Sequence, residues 1–170
     1  MIQKKICMVG VFATGKTCLV QRYVHSIFSP RYLSTVGVKI DRKEVPVHGD
    51  PVMLMLWDLE GRDGMRDVNP SYVRGAHGLI FVVDGTRPET LADGLELSEL
   101  VTKHVGPLPS VFAFNKSDLS DDWKLSRADE DRVQTLGLYA VHTSAKTGLG
   151  VESAFQWLAD AVHPVRGAQR

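Results

Sequence analysis

The chain has 170 residues, 44% apolar and 24% charged, a size and balance that suit one globular unit and exclude fibrous, disordered and membrane-spanning classes. Lys+Arg and Asp+Glu both number 20, so the net charge is +0 and no overall field draws the chain onto nucleic acid or an anionic membrane. Cys7 and Cys18 lie in apolar surroundings without metal or redox spacing, and are expected as reduced, buried packing residues of a cytoplasmic protein.

Lys5 to Val9 predicts a first strand, which runs into a Gly-rich turn and then a helix over Thr17 to Val24. The turn, Gly10-Val11-Phe12-Ala13-Thr14-Gly15-Lys16-Thr17, fits the phosphate-binding pattern G-x-x-x-x-G-K-[ST] in the strand-loop-helix setting that the pattern requires. Glycine at both ends lets the main chain wrap closely around phosphate. The cradle of Gly10, Ala13, Thr14, Gly15 and Cys18 then meets negative charge with N–H groups and a helix N-terminus. Lys16 is placed to reach β- and γ-phosphates, and the Thr17 hydroxyl to ligate Mg²⁺. A Gly-rich turn with an incidental lysine is the plainer alternative, and the pattern alone does not separate a GTPase from an ATPase or a nucleotide kinase.

A polar loop through Ser29-Pro30-Arg31 leads to Thr35, the candidate second hydroxyl ligand. Val38 to Val47 and Pro51 to Trp57 read as strands joined by His48-Gly49-Asp50, a hairpin that gives the sheet one antiparallel edge. Asp58 ends the second run, where a Mg²⁺-associated carboxylate should project, and Gly61 lets its N–H approach a γ-phosphate. Leu79 to Asp84 and Val111 to Asn115 are continuous apolar runs ending in a polar residue, as in central strands whose C-terminal ends face a ligand. Between them, Thr86-Arg87-Pro88-Glu89 has the form of a capping box, followed by Leu91, Leu95 and Val101 on one helical face.

Asn115-Lys116-Ser117-Asp118 follows a central strand. An ionised Asp118 accepts from the N1 and N2 donors of guanine, a pair that adenine does not offer, while Asn115 and Lys116 brace the loop and cover the ring. A solvated turn with a helix-capping Asp is the plainer alternative. A helix from near Ser126 to Gly137 and a short strand, Tyr139 to His142, precede Thr143-Ser144-Ala145-Lys146, whose Ala145 N–H suits the guanine carbonyl. Val151, Phe155, Leu158 and Val162 mark a last helix stopped by Pro164.

In this order the motifs resemble those of the Ras superfamily of small GTPases, and within it Rab-like members, including Rab-like proteins of bacteria. Tyr32-Leu33-Ser34-Thr35-Val36-Gly37-Val38 is similar to the Rab switch I segment, and Trp57-Asp58 with Gly61 to the start of switch II. The resemblance covers nearly the whole chain. It implies an α/β P-loop fold, one small G domain over residues 1–170, with a six-stranded, mostly parallel sheet, one antiparallel edge strand and five flanking helices. It also implies switch I near 28–38 and switch II near 58–74. Its ligands would be GTP or GDP with Mg²⁺, with Lys16, Thr35, Gly61 and Arg62 at the γ-phosphate. Thr17, Thr35 and Asp58 would hold the metal, and Ser144, Ala145 and Lys146 would lie beside the base. An effector, an exchange factor and an activating protein would read the switch surface.

Relatives mostly follow the switch II glycine with a glutamine that orients the attacking water, whereas this chain has Arg62 and then Asp63. Arginine carries donors only and cannot accept from that water. Phe12 occupies a P-loop position that is usually small, where it would crowd an inserted arginine finger. The expectation is slow intrinsic hydrolysis, about 10⁻⁴ s⁻¹ or below. A nearly nonhydrolysing, GTP-dependent interaction module is the alternative, and a P-loop phosphotransferase a remoter one. Arg31 or Arg62 is a candidate internal arginine finger, against the plainer reading of solvated arginines.

Residues 164–170 hold no cysteine to prenylate, position 2 is not glycine, and no signal peptide is evident, so no direct lipid anchor is expected. The six histidines are scattered without ligand spacing, and Trp57, Trp123 and Trp157 are expected to pack.

Overall fold

Residues 1–30, 35–59 and 68–167 are described by the computed structural model. The alternation of side chains in β1 (Ile2–Val9) sets the layers: Ile6 and Met8 enter one apolar cluster, Cys7 and Val9 the other. With β2 (Val38–Val47), β3 (Asp50–Leu59), β4 (Gly78–Asp84), β5 (Ser110–Asn115) and β6 (Tyr139–His142) it forms a six-stranded sheet of order β2-β3-β1-β4-β5-β6. The expected antiparallel edge is β2, paired with β3, and the other pairings are parallel. The hairpin is tighter than expected. Val47 pairs with Asp50, and His48 and Gly49, with φ of 50° and 88°, form a two-residue turn whose doubly positive geometry follows the twist of the sheet.

Five helices flank the sheet: α1 (Lys16–His25), α2 (Pro70–Val73), α3 (Glu89–Val105), α4 (Arg127–Thr135) and α5 (Val151–Val162). Leu19 and Tyr23 of α1 and Phe155 and Leu158 of α5 fill one cluster, where the Tyr23 and Phe155 rings stack at 3.9 Å. Val73, Leu91, Leu95, Val101 and Val133 fill the other against Phe81, Phe112 and Phe114. Covered from both sides, β4 is buried at every residue, as its unbroken apolar run requires. No helix among the described residues is long and apolar enough to cross a membrane.

Two local expectations need correction. Thr86 does not cap α3. Its hydroxyl is turned to the carboxylate at the end of β4, donating to Asp84 Oδ1 at 2.7 Å rather than accepting from a helix N–H, and α3 starts at Glu89 without a side-chain cap. Cys7 is buried, but Cys18 is half-buried and lines a cavity at the start of α1; neither thiol is in a disulfide. Burial pushes the Cys7 thiol up to about 12 and the Cys18 thiol upward as well, so both stay protonated at neutral pH.

Parallel register places the C-terminal ends of four strands at one edge: Met8 lies opposite Asp58, Val9 opposite Phe81, and Asp84 opposite Asn115. Because the Tyr23–Phe155 stack joins the helix that starts at this edge to α5, Phe155→Ala is expected to cost about 3–5 kcal/mol. Urea denaturation measures it, and a loss under about 1 kcal/mol would contradict this packing.

Candidate functional site

The turn after β1 is shaped by close approach. A Cβ on Gly10 would sit 2.7 Å from the Val82 carbonyl oxygen, and one on Gly15, at φ 101°, would sit 2.3 Å from Asn115 Nδ2. Both glycines are therefore required by space, and Gly15 by backbone conformation too. Thr14 is buried, and its hydroxyl donates to the Val11 carbonyl at 3.1 Å. Lys16 is 6% exposed, and its ammonium donates to the carbonyls of Gly10 and Val11 at 2.9 and 3.0 Å. Burial pulls its pKa down to about 8, Asp58 opposing and Arg87 adding to the effect. A buried ammonium held on two neutral carbonyls gains from an incoming anion.

At the start of α1 three oxygens converge. The Thr17 hydroxyl donates to Asp58 Oδ2 at 2.6 Å, the Thr35 hydroxyl donates to the same atom at 3.1 Å, and the two hydroxyls lie 2.8 Å apart. Asp58 is 1% exposed, and its Oδ1 has no hydrogen-bond partner among the described residues. Burial raises its carboxyl pKa despite bonds from Thr17 and Thr35 and the charge of Lys16. A buried carboxylate with an orphaned oxygen beside two hydroxyls is a hard-oxygen donor set, so the residues fit Mg²⁺, which takes oxygen ligands and keeps part of its water.

The loop after β5 is wired to the turn after β1. Asn115 Nδ2 donates to the Thr14 carbonyl at 3.0 Å, and Asn115 Oδ1 accepts from Thr143 Oγ1 at 3.1 Å. Lys116 Nζ donates to the Ala13 carbonyl at 3.0 Å and meets Asp84 Oδ2 at 2.7 Å. Asp118 Oδ1 accepts from the buried Ser144 hydroxyl at 2.8 Å. Ala13, Lys16, Thr17, Asp118, Ala145 and Lys146 are among the residues lining one cavity of about 400 Å³, walled also by Phe28, Pro30 and Leu119. Its volume lies in the range of small-ligand sites.

The structure thus brings together Gly10, Ala13, Thr14, Gly15, Lys16, Thr17, Cys18, Thr35, Asp58, Asn115, Lys116, Asp118, Ser144, Ala145 and Lys146. Gly61, Arg62 and Arg31 lie outside the described residues. No group of three metal-ligating side chains of the His/Cys/Asp/Glu kind occurs among the described residues. Trp123 packs on Gly85 and stacks on His142, Trp157 stacks on Tyr139, and Trp57 lies under the Lys5 ammonium.

Sequence reasoning missed two supports. Asp84, 1% exposed, gathers Lys116, Arg87 Nε at 3.1 Å and the N–H and hydroxyl of Thr86, while Arg87 Nη2 donates to the Phe12 carbonyl at 2.7 Å. The polar end of an apolar strand was the available signal for Asp84; Arg87 had none. Arg22 is the other: from α1 it donates through Nε to the Ala145 carbonyl at 2.6 Å and through Nη2 to the Lys146 carbonyl.

The family model described as the Ras family matches residues 5–164 of the chain.

Burial alone would raise the Asp84 carboxyl, but its bonds to Lys116 and Thr86 outweigh that and hold it below the usual carboxylate range. Its stabilising contribution is therefore complete above about pH 4 and is lost as pH falls through the lower folded-state value. Asp84→Ala is expected to lower stability at pH 7 by about 2 kcal/mol, a figure discounted because both cations are about one-third exposed. Unfolding midpoints indistinguishable from wild type would contradict the role of Asp84 as a clamp.

Proposed function

The chain belongs to the Ras family of small GTPases, GTP-binding switches, and from that premise we propose that residues 1–170 form one G domain that selects guanine through Asp118. In this reading it holds GTP or GDP with Mg²⁺ and hydrolyses GTP slowly. The observation that carries the reading is the joint placement of Asp118 and Lys16 on one cavity, with the intervening Asn115 bonded to the phosphate loop. An ionised carboxylate offers two acceptors to the N1 and N2 donors of guanine and none of the donors that adenine would need.

Lys16 leaves the Gly10 and Val11 carbonyls for phosphate oxygens, and the N–H groups of residues 13–18 complete the cradle. Thr17, Thr35 and Asp58 would hold Mg²⁺, which would supply charge neutralisation to the phosphates. Thr35 stands at the start of an exposed segment in which Val36 is 88% and Ile40 43% exposed. An ordered Thr35 presents this apolar strip, together with β2, to an effector, and its release withdraws it. Exchange factors and activators act on the same surface, as they do in the family generally. Within the family, Tyr32 to Val38 and Trp57-Asp58 favour a Rab-like member, read here as acting in the cytoplasm.

Hydrolysis is weak because Arg62 cannot accept from the attacking water, and because Phe12, 37% exposed, stands at the phosphate loop. The same two residues favour a second reading, a nearly nonhydrolysing module whose occupancy is set by exchange. Single-turnover assays separate the two: the slow timer gives about 10⁻⁴ s⁻¹ or a little less, and the module gives retained GTP after purification with no measurable turnover. Rapid hydrolysis by the isolated protein would contradict both.

Base selection is tested by competition. The wild type is expected to prefer GDP over ADP by at least about 10⁴, and Asp118→Asn to weaken GDP at least about 100-fold, because the substitution puts an amide donor against a guanine donor. Equal affinity for the two nucleotides in the wild type would overturn the proposal.

A further inference from the structure

Arg22 lies six positions after Lys16 on α1, and it spans from the helix that begins at the phosphates to the loop beside the base. Its guanidinium makes a two-pronged contact across more than a hundred residues of sequence, Nε to the Ala145 carbonyl at 2.6 Å and Nη2 to the Lys146 carbonyl. The aliphatic stem passes over Gly148, whose Cβ position would lie 3.9 Å from Arg22 Cδ. Ala145 and Lys146 both line the nucleotide cavity, and Ala145 is 4% exposed. The loop is otherwise closed on itself: Ser144 N–H donates to Leu149, Gly148 N–H to Ser144, and Thr147 N–H to the Ser144 hydroxyl. Among the described residues, the side-chain ties from this loop to distant parts of the fold are those of Thr143 to Asn115, of Ser144 to Asp118, and of Arg22 to the Ala145 and Lys146 carbonyls.

The geometry points to Arg22 as a positioning residue for guanine: it fixes the main chain of Ala145 and Lys146 on α1, so that the Ala145 N–H meets the base carbonyl and release of the nucleotide is slow. The fork of a guanidinium suits two successive carbonyls in a way that a point-charge ammonium does not. Holding the loop in advance removes the ordering cost that binding would otherwise carry. This inference rests on the guanine reading above and adds to it a residue that touches neither base nor phosphate.

The test compares release of ribose-labelled GDP with release of the corresponding 2-aminopurine riboside diphosphate, which lacks the base carbonyl and with it the N1–H that faces Asp118, both with Mg²⁺. The effect of Arg22 is read from variant against wild type for each ligand, so that the lost N1–H cancels. Arg22→Met keeps the stem on Gly148 and removes both donors, and it is expected to accelerate GDP release about tenfold. Arg22→Lys should fall between Met and wild type. The analogue should leave the wild type faster than GDP does, and should leave Arg22→Met no faster than wild type, since the contact being positioned is missing from the ligand. Unchanged GDP release in Arg22→Met, or equal acceleration of both ligands, would overturn the role, the second result placing Arg22 in general support of the helix. A wild type that retains no guanine nucleotide would overturn the guanine reading and this inference with it, an outcome distinct from tight wild-type binding that the variant leaves unaltered.

Discussion

The site depends on Asn115 lying against the phosphate loop. Its amide donates to the Thr14 carbonyl on one side and accepts from Thr143 on the other, and it stands where any side chain at residue 15 would have to go. Lys116 repeats the tie one residue on, from Ala13 to Asp84. A buried amide must find partners, and here Asn115, like the one-third-exposed Lys116, finds a carbonyl of a loop about a hundred residues earlier. The loop of residues 10–17 and the loop that begins at Asn115 are thus one hydrogen-bonded body.

The remaining parts extend from this body at its weaker margins. Among the described residues, Thr35 is hydrogen-bonded to it through Asp58 Oδ2 and the Thr17 hydroxyl. Such a joint is easily remade, since all three oxygens would rather face a divalent cation than one another. Arg87 fastens the Phe12 carbonyl from outside, and Arg22 fastens the Ala145–Lys146 carbonyls from α1. The cavity floor is cross-braced by hydrogen bonds and its rim toward residue 36 is exposed, a division of labour suited to a Ras-family switch.

Much of this was legible in the amino acids because the chemistry is local. Gly10 to Thr17 announces a phosphate cradle by spacing alone, the unbroken runs ending at Asp84 and Asn115 announce central strands, and Ser126 and Gly137 bracket their helix. What was not legible depends on tertiary approach. Thr86 looks like a helix cap until Asp84 is seen to take its hydroxyl. Cys18 looks like a core residue until the cavity opens beside it. Arg22 sits on a short amphipathic helix, where an arginine is ordinary, and only folding brings it to carbonyls 123 and 124 residues away. Gly61 and Arg62, which bear on hydrolysis, lie outside the described residues, so their part rests on sequence and family resemblance.

The most direct measurement is amide hydrogen exchange across residues 10–17 in the protein saturated with GDP and Mg²⁺, comparing wild type with Asn115→Ala. If the two loops are one body, deleting the Asn115 amide deprotects the phosphate loop, with exchange there rising about tenfold or more. Unaltered protection of residues 10–17 alongside weakened nucleotide binding would show that the loops act separately, and the account built on their union would be wrong.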